Sequence, residues 1–190
     1  MPPFALQFPA SEVASLAARY SYKDDAECRE AGEKARERGY FTRGELLLIC
    51  EWKSVRPKGK VAANGEGKVV AATRRAFAAT DEAERMEALL TLNGVGVPTA
   101  SALLFFAFQT DYPILDYRAL ESLGQPTSRT TYSVTYWLRY LEACRSLATE
   151  AQVSIRMLDM ALWQASTERA TADHPCRSPN KVGGWCRTVP

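Results

Sequence analysis

The stretch LNGVGVPTASALLFFAFQTDYPILDYRALESLG, Leu92 to Gly124, sets the carboxylate of Asp116 between an apolar run and a fresh helical pattern, twenty-two positions after the first glycine of a Gly-Val-Gly turn. At a helix N-terminus the dipole favours a carboxylate as the anion. A fixed anion can stabilise positive charge developing on a neighbouring carbon while it orients or deprotonates a water. A simple N-cap has the same signature, because aspartate is a preferred cap. The turn has chemistry of its own. Gly94 and Gly96 allow backbone angles and a close approach that side chains would block. The backbone of Asn93, Gly94, Val95 and Gly96, with the freed N–H groups of the next helix and its dipole behind them, forms an anion site suited to phosphate. Thr99 adds a hydroxyl donor in that first helical turn. Such contacts position a nucleic-acid backbone without reading its sequence. Taken alone, the turn equally suits plain close packing of two helices.

A second chemical feature precedes it. Seven basic residues between positions 53 and 75, Lys53, Arg56, Lys58, Lys60, Lys68, Arg74 and Arg75, face a single acid, Glu66. That density is a candidate phosphate-binding patch, although a solvated lysine-rich loop has the same composition. The net charge of +2 and isoelectric point near 8.3 do not by themselves demand a nucleic-acid partner.

The elements that must position these groups are helical. At 190 residues and 46% hydrophobic, the chain can build one sizeable core. No alternating run asks for a sheet, so an all-α fold is expected, with one domain over residues 1–169 and an irregular tail over 170–190. A first helix spans about Ser11 to Tyr20, capped by Ser11, and a second runs from about Asp24 to a C′ residue at Gly39. Thr42 and Glu45 form a capping box for a third, which carries Leu46 to Ile49 into the core. SVRPKGKVAANGEG reads as the longest internal loop. Asn64 caps a helix to about Ala79, and Thr80 opens another that ends at Leu92. Beyond the turn, Ala100, Leu103, Leu104 and Phe108 give the next helix its buried face. A long aromatic helix covers about Thr131 to Leu147. A last amphipathic one turns Ile155, Leu158, Leu162 and Trp163 to the core.

The span Leu89 to Gly124 resembles the helix-hairpin-helix DNA glycosylases, relatives of endonuclease III, of the adenine glycosylase paired with 8-oxoguanine and of the alkylbase glycosylases. LNGVGVPTASALLFFAF and YPILDYRALESLG follow that family's order: an apolar helix end, a Gly-Val-Gly hairpin, a second helix rich in small residues, a loop, and an aspartate opening the next helix. Outside that span only the helical order is similar. The resemblance implies a compact glycosylase-like helical fold, double-stranded DNA with a damaged or modified base as partner, and Asp116 as the catalytic carboxylate. As the base departs, the deoxyribose takes on oxocarbenium character that such an anion stabilises. Bifunctional members carry a lysine two positions after the hairpin's last glycine, where it attacks the sugar to form a Schiff base. This chain has Pro98 there. The resemblance therefore implies a monofunctional enzyme in which water takes the anomeric carbon, with Lys53 and Lys68 left open as other amines.

A base must leave the stack before any pocket can hold it. Trp52 and Tyr117 are the candidates for gripping it or filling the gap, with Lys53 and Arg56 on phosphates of the extruded strand. Trp137 and Trp163 fall in stripes with Leu138, Leu141 and Leu158 and read as core, while Tyr132, Tyr136 and Tyr140 recur on one helix face as either a packing stripe or the lining of a cleft, with packing the preferred reading. Two substrate classes fit: a damaged base in repair, or a bulky modified base of phage DNA in antiviral defence, the latter favoured by an open pocket. A non-catalytic helix-hairpin-helix DNA-binding module is the alternative, and a protein-interaction helical domain a third. Cys28, Cys50 and Cys144 read as small core residues, while His174, Cys176 and Cys186 are too irregularly spaced for a good zinc site. No iron–sulfur spacing is present, and the chemistry requires no metal or other cofactor. Without an export signal or a long apolar run, a monomeric cytoplasmic protein is expected.

Overall fold

The computed structural model describes residues 3–108, 111–127 and 131–173, and within them the protein is all-helical, with no β-strand. In chain order the helices are α1 (Val13–Ala18), α2 (Ala26–Arg38), α3 (Arg43–Lys53), α4 (Lys58–Ala62), α5 (Glu66–Ala78), α6 (Glu82–Leu90), α7 (Val97–Ala107), α8 (Tyr117–Ser122), α9 (Val134–Glu150) and α10 (Ile155–Asp173).

The sequence of α7, VPTASALLFFA, has no polar face, and every residue from Thr99 to Ala107 is buried. A helix that is apolar all round has to be enclosed, and α2, α3 and α6 pack around it. The single buried face expected for it was too narrow, and Phe108 lies only partly buried at its end, against Phe77 and Tyr112. The α2 backbone comes especially close: a Cβ added to Gly32 would lie 2.0 Å from the Phe106 carbonyl oxygen. On the other side of the core, α10 lies against α1, α8 and α9. Cys28, Cys50 and Cys144 are buried thiols within this packing.

Local signals place several boundaries as expected. In the capping box, Thr42 N donates to Glu45 Oε2 at 2.8 Å and Glu45 N to Thr42 Oγ1 at 3.3 Å, and α2 ends in a left-handed Gly39. Elsewhere the structure differs. Ser11 lies inside a 3-10 turn, Ala10–Glu12, and caps nothing. Asp81 rather than Thr80 caps α6, and Ser133 caps α9. The lysine-rich segment is not a bare loop, because α4 fills its middle. Asn64 does not cap α5. Its buried amide donates to Val61 O and Asn93 O and accepts from Asn93 N, each at 2.9 Å, which ties this segment to the turn between α6 and α7. Helix α10 continues through Ala170 to Asp173, so residues 170–173, expected in an irregular tail, are helical. His174, Cys176 and Cys186 lie outside the described residues. Among the described residues, no helix is long and apolar enough to cross a membrane.

Candidate functional site

The segment leading into α8 is buried but not helical, so its peptide groups need partners from elsewhere. Three helices supply them. Ile114 N donates to Asp159 Oδ1 on α10 at 2.9 Å, Tyr140 OH on α9 donates to Ile114 O at 3.0 Å, and Leu115 N donates to Ser101 Oγ on α7 at 2.9 Å. Asp116 follows directly as the N-cap of α8, with Oδ1 accepting from Arg118 N at 2.9 Å and Ala119 N at 3.1 Å. Its other oxygen, Oδ2, meets Lys53 Nζ at 3.2 Å, at the C-terminal end of α3. The two side chains are 19% and 11% exposed, a half-enclosed ion pair rather than a solvated one. Capping and facing a cleft are thus not alternatives for Asp116, since one oxygen does each.

That cleft has two compartments. An inner recess is walled by Tyr20, Tyr22, Trp52 and Trp163, with Lys53, Asp116 and Asp159 among them. Its cavity volume is about 20 Å³, room for roughly one water. The aromatic rings close it by packing on one another, with centroids 5.2 Å apart for Tyr22 and Trp52 and 5.1 Å for Tyr22 and Trp163. Outside it opens a groove of about 770 Å³, which shares Tyr22, Lys53, Asp116 and Trp163 with the recess. Lys53, Arg56, Lys60 and Arg118 line this groove against the one carboxylate of Asp116, which gives it a positive lining. At the inner end, burial pushes the Asp159 carboxyl up to about 6, with Arg156 pulling the other way. Arg156 itself bridges Asp159 at 3.1 Å and Asp25 at 2.8 Å.

The turn between α6 and α7 forms part of the groove wall through Gly94, Pro98 and Thr99. Gly94 has a φ of 75°, and a Cβ there would meet Lys60 Cβ at 2.8 Å and Val61 N at 2.9 Å. Both the angle and the contact demand glycine. Gly96 is different, and here the expectation fails: its φ is −100°, and an added Cβ finds nothing nearer than Pro98 Cδ at 3.9 Å. The backbone N–H groups of Gly94, Gly96 and Val97 have no acceptor among the described residues. Asn93 and Val95 serve the turn itself. Asn93 is held by Asn64 and accepts from Lys68 Nζ at 3.3 Å, while Val95 is buried with its N–H on Leu92 O at 3.2 Å.

Of the residues singled out from sequence, Asp116, Lys53, Arg56, Gly94, Thr99 and Tyr117 come together on the groove. Trp52 is a buried wall of the recess, its Nε1 donating to Asp24 O at 3.0 Å, and so cannot be an inserted gap-filler. Tyr117 is 53% exposed with the Arg118 guanidinium 5.2 Å from its ring centre. Trp163, expected in the core, is only partly buried and lines both recess and groove. Trp137, Tyr136 and Tyr140 are core, and Tyr132 both packs against the core and lines the groove, so the two readings of that stripe each hold for part of it. The basic segment is not one patch: Lys58 pairs with Glu51 at 2.9 Å and Arg74 stacks over Tyr40. Sequence reasoning missed Tyr20, Tyr22, Arg118 and Asp159. Only Asp159 left a readable signal, a carboxylate four residues after Ile155 and three before Leu162, on the buried face of its helix.

No family model, curated protein or solved structure matches the chain.

Proposed function

We propose that the protein is a DNA N-glycosylase of the helix-hairpin-helix type, which hydrolyses the N-glycosidic bond of an everted, modified or damaged base and leaves an abasic site. One observation carries this. Asp116 is locked by six hydrogen-bonded groups in and around its segment, yet keeps Oδ2 toward a wide, positively lined groove flanked by the α6–α7 turn. In this scheme the free N–H groups of the turn hold a phosphate, and Arg56, Lys60 and Arg118 neutralise its neighbours. The sugar of the everted nucleotide then lies against Asp116. Lys53 Nζ marks the place where a positive charge is best stabilised by Oδ2, which is also where the oxocarbenium-like carbon would develop its charge. Water, oriented by the same carboxylate, completes the hydrolysis, because Pro98 cannot act as a nucleophile.

The inner recess has no room for a base as it stands, whereas the groove does. A base seated in the groove would stack on Tyr22, Trp163 or the exposed ring of Tyr117. The width favours a bulky modified base, such as those of phage DNA, over a small lesion. The test is release of free base from genomic DNAs that differ in modification, scored by cleavage at the resulting abasic sites. Asp116→Asn should keep DNA affinity and lose about 10²-fold or more in base release. Equal release by both proteins removes Asp116 from the mechanism. A second assignment, a non-catalytic DNA-binding module of the same type, is favoured by the fact that both Asp116 oxygens already have structural partners. It predicts salt-sensitive DNA binding with no base release from any DNA.

A further inference from the structure

Lys53 has a place that phosphate binding does not explain. A lysine at the end of a surface helix ordinarily extends into water or over the last carbonyls of its own helix. At the end of α3 the Trp52 carbonyl is taken instead by Lys23 Nζ at 3.0 Å and by Tyr22 OH at 3.4 Å. The Lys53 chain turns inward, 11% exposed, and sets its amine on Asp116 Oδ2. It lines both the recess and the groove. The other cations there are Arg56, Arg118 and Lys60, and the two guanidinium groups stay protonated and are not nucleophiles. Lys53 is therefore the primary amine that the fold places beside the carboxylate, and a primary amine beside a proton acceptor is the arrangement for imine formation with an aldehyde.

We propose that Lys53 captures the abasic sugar left by base release and cleaves the DNA strand on its 3′ side, an activity beyond base hydrolysis that rests on the groove holding DNA. The Lys53 ammonium first gives one proton to Asp116. The neutral amine adds to C1′ of the ring-opened sugar aldehyde, forming the C–N bond. The hydroxyl so formed takes the proton back from Asp116 and leaves as water, which gives a protonated imine. That imine makes the C2′ hydrogen acidic, and Asp116 removes it. The electron pair of the C2′–H bond moves through an enamine and expels the phosphate from C3′, breaking the C3′–O bond. Asp116 passes the C2′ proton to the departing phosphate, and water then hydrolyses the protonated conjugated imine to the unsaturated aldehyde and restores the Lys53 ammonium. No oxidant, reductant or metal enters the balance.

The experiment bypasses base release by giving the full-length protein a duplex that already carries one abasic site. With sodium borohydride present, reduction of the imine should give a covalent protein–DNA adduct on a denaturing gel, with the modified peptide containing Lys53. Lys53→Arg keeps a cation for Asp116 and should lose the adduct and the strand cleavage to background. Lys34→Arg, on the exposed face of α2 where Lys34 pairs with Glu30, should keep both. Thermal unfolding of the three proteins confirms that they are folded. Absence of an adduct from wild type on abasic DNA, or an adduct of equal yield from Lys53→Arg, overturns the role of Lys53. Base release from modified DNA without trapping would overturn this inference alone and leave the glycosylase assignment standing. Failure of both DNA binding and base release would remove the assignment as well.

Discussion

Replacing Asp159 with asparagine removes a carboxyl group that is only 6% exposed, at the inner end of the recess. Burial is the largest cause raising it to about 6, and the nearby charge of Asp116 adds to the rise, while Arg156, the Ile114 N–H and Lys53 oppose it. In the unfolded chain an aspartate titrates near 3.9. The folded protein therefore binds this proton more tightly than the unfolded chain does. Its contribution to stability is present at low pH and is lost as the pH rises through about 6. About two pH units of difference, at about 1.4 kcal/mol each, amount to roughly 3 kcal/mol. Asparagine keeps an oxygen for the Ile114 N–H but has no proton to titrate, and Asp25 continues to hold Arg156. Urea unfolding of wild type and Asp159→Asn, followed by circular dichroism at intervals from pH 4 to pH 7, isolates the effect, because the groups common to both proteins cancel. The unfolding free energy of wild type minus that of the variant should fall by roughly 2 kcal/mol across this range, the remainder of the effect lying below pH 4 where the unfolded aspartate also takes up its proton. A difference that stays flat, or rises with pH, would mean that Arg156 stabilises the anion by more than burial penalises it, and the reasoning would be wrong.

The two glycines of the turn should behave differently. Gly94→Ala combines a left-handed φ with contacts under 3 Å to α4, and should cost about 2–4 kcal/mol in urea unfolding. Gly96→Ala should leave stability within about 0.5 kcal/mol of wild type; a weaker, salt-sensitive DNA affinity in that folded variant would show that the backbone there touches DNA. Asn64→Ala removes three hydrogen bonds and leaves Asn93 N and O without their partner. It should cost about 2–4 kcal/mol, with faster amide exchange at the turn than in α10 as the sign that the loss is local.

Much of the site was legible because its signals are local. A cap acts over three residues, so Thr42 and Glu45 could be read from their spacing, and so could Asp116 as the residue opening α8. Gly94 was legible because a left-handed turn leaves few alternatives to glycine. Asn64 was misread because its side chain chemistry permits a cap, while a partner 29 positions away offered it three hydrogen bonds in a buried setting. Trp163 was misread for a similar reason: periodicity assigns a residue to the inward face of α10 without distinguishing packed core from the wall of a cavity.

What the sequence determined alone was the all-helical class, the tight turn before α7 and the carboxylate that opens α8, each governed by interactions within a few residues. Only the tertiary structure decided what surrounds that carboxylate. Tyr20 and Tyr22 come from the connection between α1 and α2, Lys53 from α3, and Asp159 and Trp163 from α10, and no periodicity in one segment encodes its distance from another. Lys53 and Asp116 are 63 positions apart and meet at 3.2 Å, because α3 packs on α7 and the segment leading into α8 is tied to that same helix through Leu115 N and Ser101 Oγ.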